Sequence, residues 1–117
     1  MLEYNYSMQI AKDVLDGVIQ EGNLTNLYGS IEAYQNGREQ GYSIVVENAV
    51  LRLYMISFAQ FEKSDDIVIY TGLYTGCAIT DEAYNNAKFF KHDNIFGAVD
   101  YIVKKIIEIS NSIVDRI

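Results

Sequence analysis

The sequence predicts an α+β fold: an N-terminal helix, a four-stranded antiparallel meander sheet, then a short helix and a long C-terminal helix packed on one sheet face. Three observations lead there. Apolar residues recur at helical spacing near both ends of the 117-residue chain. The middle of the chain switches to a period of two. The connections between the alternating runs are too short for parallel crossovers, so neighbouring strands are expected to be antiparallel. The whole chain, 1–117, reads as one domain. An apolar fraction of 50% is enough for a core without disulfide or metal staples.

The first element falls at residues 5–21, where Met8, Ala11, Val14, Leu15, Val18 and Ile19 share one helical stripe. Lys12, Asp13, Asp16 and Gln20 take the other side. Asn5 or Ser7 is the candidate N-cap, and Gly22 stands where a left-handed C-terminal cap is wanted. Strands are expected at 27–35, 42–48, 50–61 and 67–76. Asn36-Gly37 is the strongest hairpin signal, and residues 62–66 (EKSDD) make a polar turn. The junction at Asn48-Ala49 reads as a tight turn or a bend.

Residues 80–91 read as a short helix, capped by Thr80, with Asp81 and Glu82 in its first turn and Lys88 and Lys91 in its last. Asp93 or Asn94 then opens a long helix over roughly 95–115. Ile95, Val99, Ile102, Ile106, Ile109 and Ile113 follow one another by steps of four and three residues, a heptad seam. Phe96, Val103, Ile107 and Val114 widen the apolar face. The seam is expected to lie across the sheet, with pairing to a second copy as the alternative use.

Alternate residues of a strand share a face. On the second strand Tyr42, Ile44 and Val46 are expected to face the helices; on the fourth, Ile67, Ile69, Leu73 and Cys77. On the first, Leu27, Ile31 and Ala33 go inward. On the third, the uncharged set Leu51, Leu53, Met55, Ala59 and Phe61 is assigned inward, because the other set carries Arg52 and Gln60. The outer face then gathers Tyr28, Tyr34, Arg52, Tyr54, Ile56, Phe58, Tyr70 and Tyr74, with Gly72 a slot between two tyrosines. So aromatic a face marks an interaction surface. A covering by the 80–91 segment, or by the terminus that carries Tyr4 and Tyr6, is the competing expectation.

Chemistry finds little purchase. The doubled triplet in residues 69–77 (IYTGLYTGC) lacks the spacing and the lysine of a phosphate loop, and no dinucleotide-binding glycine pattern occurs. His92 is the sole histidine and Cys77 the sole cysteine, too few soft ligands for a zinc shell. Cys77 reads as a small buried residue and His92 as a surface loop residue rather than as a nucleophile–base pair. No serine elbow or calcium loop is present. The sequence therefore predicts no enzyme, no catalytic residue, no cofactor and no metal.

Sixteen acids against nine basic residues give a net charge of −7, which argues against direct nucleic-acid contact. No run approaches the roughly 18 apolar residues of a membrane span, and no signal-like segment opens the chain. A cytoplasmic location is expected, in the protein's own cell or in an infected host. The expected function is that of a small acidic protein-binding module, of inhibitor or immunity type, that occludes a basic partner surface. In composition alone the chain resembles toxin-immunity proteins and phage-encoded inhibitors of bacterial defence: short, acidic, rich in Tyr, Asn and Ile. The expected binding residues are Tyr28, Tyr34, Arg52, Tyr54, Phe58, Tyr70, Gly72 and Tyr74, with Glu32, Glu47, Asp65 and Asp66 steering the encounter. Homodimerisation is expected alongside. The alternatives are a nucleotide-like small ligand stacked on the tyrosines, or a homo-oligomeric structural protein.

Overall fold

The computed structural model describes residues 2–22, 24, 27, 30–61, 66–74, 83 and 85–113, and among these two helices and five antiparallel strands are complete. The elements are α1 (Leu2–Gly22), β1 (Glu32–Asn36), β2 (Glu39–Glu47), β3 (Leu53–Phe61), β4 (Ile67–Leu73), β5 (Lys88–Phe90) and α2 (Ile95–Asn111). The strands lie in the order β1-β2-β3-β4-β5, each antiparallel to its neighbour. The α+β class and the antiparallel meander are as the sequence predicts, with one strand more.

Helix α1 begins upstream of both candidate caps. It buries Met8, Ala11 and Leu15, a stripe of three- and four-residue steps. Gly22 is its last helical residue and does not adopt a left-handed cap. The Asn36-Gly37 signal does form the β1–β2 hairpin, with Gly37 at φ +61, where a side chain would be strained. Asn94 is the cap of α2, its side-chain oxygen accepting from Gly97 N–H at 3.2 Å. Val99, Ile102, Ile106 and Ile109 of the heptad seam are buried. The seam thus lies on the sheet, and α2 contacts α1 as well as β2, β4 and β5.

The main core lies between the two helices and one sheet face. Met8, Ala11 and Leu15 of α1, and Val99, Ile102 and Ile106 of α2, meet Ile44, Val46, Tyr54, Ile56, Phe58, Ile67 and Ile69 of the sheet. The inward sets expected for β2 and β4 are therefore correct for Tyr42, Ile44, Val46, Ile67, Ile69 and Leu73, while Cys77 lies outside the described residues. The inward set for β3 is inverted. Tyr54, Ile56 and Phe58 point to the helices, because they pair with Val46, Ile44 and Tyr42 on one side and with Leu73, Thr71 and Ile69 on the other. Leu53, Met55, Ala59 and Phe61 lie on the second face.

The expected short helix at 80–91 is also corrected. Residues 80–82 and 84 lie outside the described residues. Ala83 and Asn85 are helical, but Lys88–Phe90 is strand β5, paired with Ile67–Ile69. Ala83 packs on the second face in a small cluster with Tyr34, Ala59, Val68 and Tyr70, and Ala87 flanks it. The segment before β5 therefore covers one end of that face. This is the competing expectation, realised in part.

Candidate functional site

The sheet does not hold the expected tyrosine face together. Tyr54 and Phe58 are in the main core, 1% and 0% exposed. Tyr34 and Tyr70 are on the second face as expected, but buried beneath the Ala83 segment. Tyr70 O–H donates to both oxygens of Glu39, at 2.7 and 2.9 Å. Its ring reaches from β4 across β3 to β2, and the small side chains of Ser57 and Ala59 leave room for that path. Gly72 and Tyr74 lie toward the other end of the second face, where Gly72 pairs with Met55 and Tyr74 N–H donates to Leu53 O at 3.0 Å. Tyr28, Asp65 and Cys77 lie outside the described residues.

Arg52 is not on a sheet face at all. It ends the turn between β2 and β3, exposed and without an ion pair among the described residues. That turn is built around Asn48, which is 2% exposed. Its side-chain oxygen accepts from Val50 N–H at 3.1 Å and Arg52 N–H at 2.8 Å. Its backbone N–H donates to Arg52 O at 2.9 Å, and its carbonyl accepts from Leu51 N–H at 3.1 Å. A buried asparagine that bonds its own local backbone is a turn-former by mechanism.

The outcome of this bonding is unusual. Leu51 is held at φ 65, in the left-handed region, with no glycine to relieve it. Its side chain is 74% exposed, so the strain is not offset by burial. Val50 beside it is exposed too. Ala49 N–H donates to Ser112 O at 3.0 Å, which fastens the turn to the end of α2 and brings up Ile113, 76% exposed. Val50 and Leu51 thus form an exposed apolar tip, with Arg52 next to them in the chain and Ile113 following the Ser112 that anchors the turn. Sequence reasoning picked out Arg52 and missed Leu51. The signal was Asn48 followed by a run of apolar residues too short to continue a strand.

A second feature opens where the β1–β2 hairpin projects beside the first half of α1. A cleft of about 340 Å³ is lined by Met8 and Gln9 and by residues 33–35 and 40–42. Tyr42 O–H donates to Gln9 Oε1 at 3.0 Å, and Gln9 Nε2 donates to Asp13 at 3.0 Å. Lys12 is bonded to Asp16 at 3.0 Å and sits 5.8 Å from the centre of the Tyr42 ring. The Asp16 hydrogen bond and charge hold the Lys12 ammonium above its ordinary pKa.

His92 is exposed in the turn between β5 and α2, as expected of a surface loop residue. Among the described residues no group of three or more His, Cys, Asp or Glu is placed to hold a metal ion, and no helix is long and apolar enough to cross a membrane. Compared with protein-family models, with curated proteins and with solved structures, the chain matches none.

Proposed function

We propose that the chain is a small acidic protein-binding module that acts by occluding a surface of its partner, and that it docks through the Asn48–Arg52 turn and the adjoining end of α2. The observation that carries this reading is Leu51: a large apolar side chain left in water on a backbone held at φ 65 by a buried asparagine. Strain of that kind persists only where the surroundings over-determine it, and it clusters at ligand clamps and binding loops. A preformed turn also loses little freedom on docking. In this reading Leu51 enters an apolar socket, Val50 and Ile113 seal its rim, and Arg52 takes a carboxylate or a carbonyl of the partner. The net charge of −7 favours encounter with an otherwise basic protein. An inhibitor or immunity-type role fits a module that offers a docking tip and no assembled catalytic residues among those described.

The test is capture from lysate of the cognate cells by wild-type protein and by Leu51→Asp, with the fold of each checked by circular dichroism. A partner held by the wild type and lost by the folded variant supports the reading. Equal capture by both, or no partner at any salt concentration, removes it.

Self-association is favoured by a separate observation. Phe96 and Ile107 are exposed on the side of α2 away from the sheet, with Val103 between them. Sedimentation of the pure protein decides it: a strict monomer at high concentration excludes that use of the row.

A further inference from the structure

The cleft beside α1 is a different kind of site from the apolar tip. Among the described residues no ionised side chain lines it. On α1, Lys12 and Asp13 are already engaged, Lys12 with Asp16 and Asp13 with Gln9. What it offers instead is carboxamides. Gln35 and Gln40 stand directly opposite each other across the β1–β2 ladder, so their side chains rise from the same sheet face. Neither side chain makes a hydrogen bond to any other described residue. Gln9 faces them from α1 and still has one N–H and one lone pair to give once Asp13 and Tyr42 are served.

A carboxamide presents a donor and an acceptor side by side. Its complement is a planar edge that carries the same pair reversed, as the edges of nucleobases do. The cleft is within the size range of small-molecule sites, about 300–1,000 Å³, far larger than a lone amide needs. An anion is disfavoured, since none of the described lining residues is positive and the chain as a whole is strongly acidic. A saccharide is disfavoured as well: it would want an open aromatic face, while the Tyr42 ring is flanked by Lys12 and by Phe58, whose ring centre is 5.9 Å away. The geometry points to this cleft as a binding site for an uncharged nucleobase or nucleoside, read by Gln35 and Gln40 with Gln9 as the third contact. Of the Tyr and Arg52 set expected from sequence to hold a nucleotide-like ligand, Tyr34 alone is among the described residues that line this cleft.

The test uses the whole chain, isotopically labelled, with the side-chain amide signals of Gln9, Gln35 and Gln40 followed by NMR. The probes are adenosine, cytidine, guanosine and uridine, with AMP and glucose beside them. Saturable shifts at these amides with at least one nucleoside are expected, and the double variant Gln35→Ala/Gln40→Ala should weaken binding at least roughly tenfold, the loss of one good amide–base pair. Both residues lie at the surface or half-buried, so the variant is expected to fold, and its backbone spectrum checks that. Leu51→Gly serves as the control and should bind the nucleoside as the wild type does. No saturable shift with any of the four nucleosides overturns the proposal. So does binding that survives the double variant, or tighter binding of AMP or glucose than of the nucleosides.

Discussion

Replacing Leu51 tests the central physical claim without any knowledge of a partner. A left-handed backbone costs a residue with a Cβ roughly 1–2 kcal/mol. Glycine is free of that penalty but costs about 0.5–1 kcal/mol in chain entropy. Fully burying a leucine is worth roughly 1.5–3 kcal/mol, and Leu51 is 74% exposed, so only about a quarter of that worth, ~0.5 kcal/mol, is lost with the side chain. For Leu51→Gly these terms nearly cancel, and stability should stay within about 1 kcal/mol of wild type. Leu51→Asn avoids the glycine entropy and tolerates the left-handed region, so it should gain roughly 0.5 kcal/mol. Leu51→Val keeps an apolar side chain but puts a branched Cβ where φ is positive, and should lose about 1 kcal/mol or more.

The assay is urea unfolding. With a slope of about 2 kcal/mol per molar for a domain of this size, each kilocalorie moves the midpoint by roughly 0.5 M. The diagnostic is the order Asn, then Leu and Gly together, then Val. A side chain that is exposed in an ordinary turn gives no such order, because all four would fall together. A loss above about 1.5 kcal/mol for Leu51→Asn would refute the reasoning, since it would mean that the leucine is buried or the backbone is not left-handed. If Leu51→Asn is stabilising and yet loses the partner, the strain is retained for docking rather than for the fold.

Three further substitutions test the packing. Gly41→Ala would set a Cβ 2.6 Å from Ala59 Cα and 2.9 Å from the Phe58 carbonyl carbon; backbone cannot step aside in mid-sheet, so a loss of about 3 kcal/mol or more is expected in thermal or urea unfolding. Tyr54→Ala, at a residue expected from sequence on the binding face, empties a fully buried site instead and should cost roughly 3–5 kcal/mol by the same measurement. Thr71→Val removes a buried hydroxyl that has no hydrogen-bond partner at nearly constant shape, and should raise stability by about 1 kcal/mol; a loss would show that the hydroxyl is satisfied in solution.

Strands β2 and β4 are legible because aliphatic side chains repeat at every second residue, Ile44 and Val46 on β2 and Ile67, Ile69 and Leu73 on β4, against sets that carry Ser43 and Glu47 or Tyr70 and Gly72. Strand β3 is not, because it is the central strand and both its faces are covered: every residue from Tyr54 to Gln60 is buried. Charge was then the wrong guide. Arg52 belongs to the turn and says nothing about the strand, and Gln60 is buried. Size was the better guide. Tyr54, Ile56 and Phe58 need the depth that two helices provide, while Ser57 and Ala59 suit the face where the Tyr70 ring must cross toward Glu39. Lys88–Phe90 failed for a related reason. The end charges suited a helix, but Phe89 and Phe90 also suit a strand, and the open edge of β4 offered a ladder that local propensity cannot see.

β3 is covered on both sides, and the two surfaces proposed above lie at the two ends of the sheet. The two ends differ in chemistry as well as in place. At one, the turn after β2 carries apolar atoms and a cation on a rigid, strained backbone, which suits a macromolecular socket. At the other, the hairpin before β2 carries paired carboxamides beside a helix, which suits a small polar molecule. Between Tyr42 and Asn48 the chain rises six residues, or about 20 Å at roughly 3.4 Å each, so the two surfaces share no side chain and a change at one should leave the other intact.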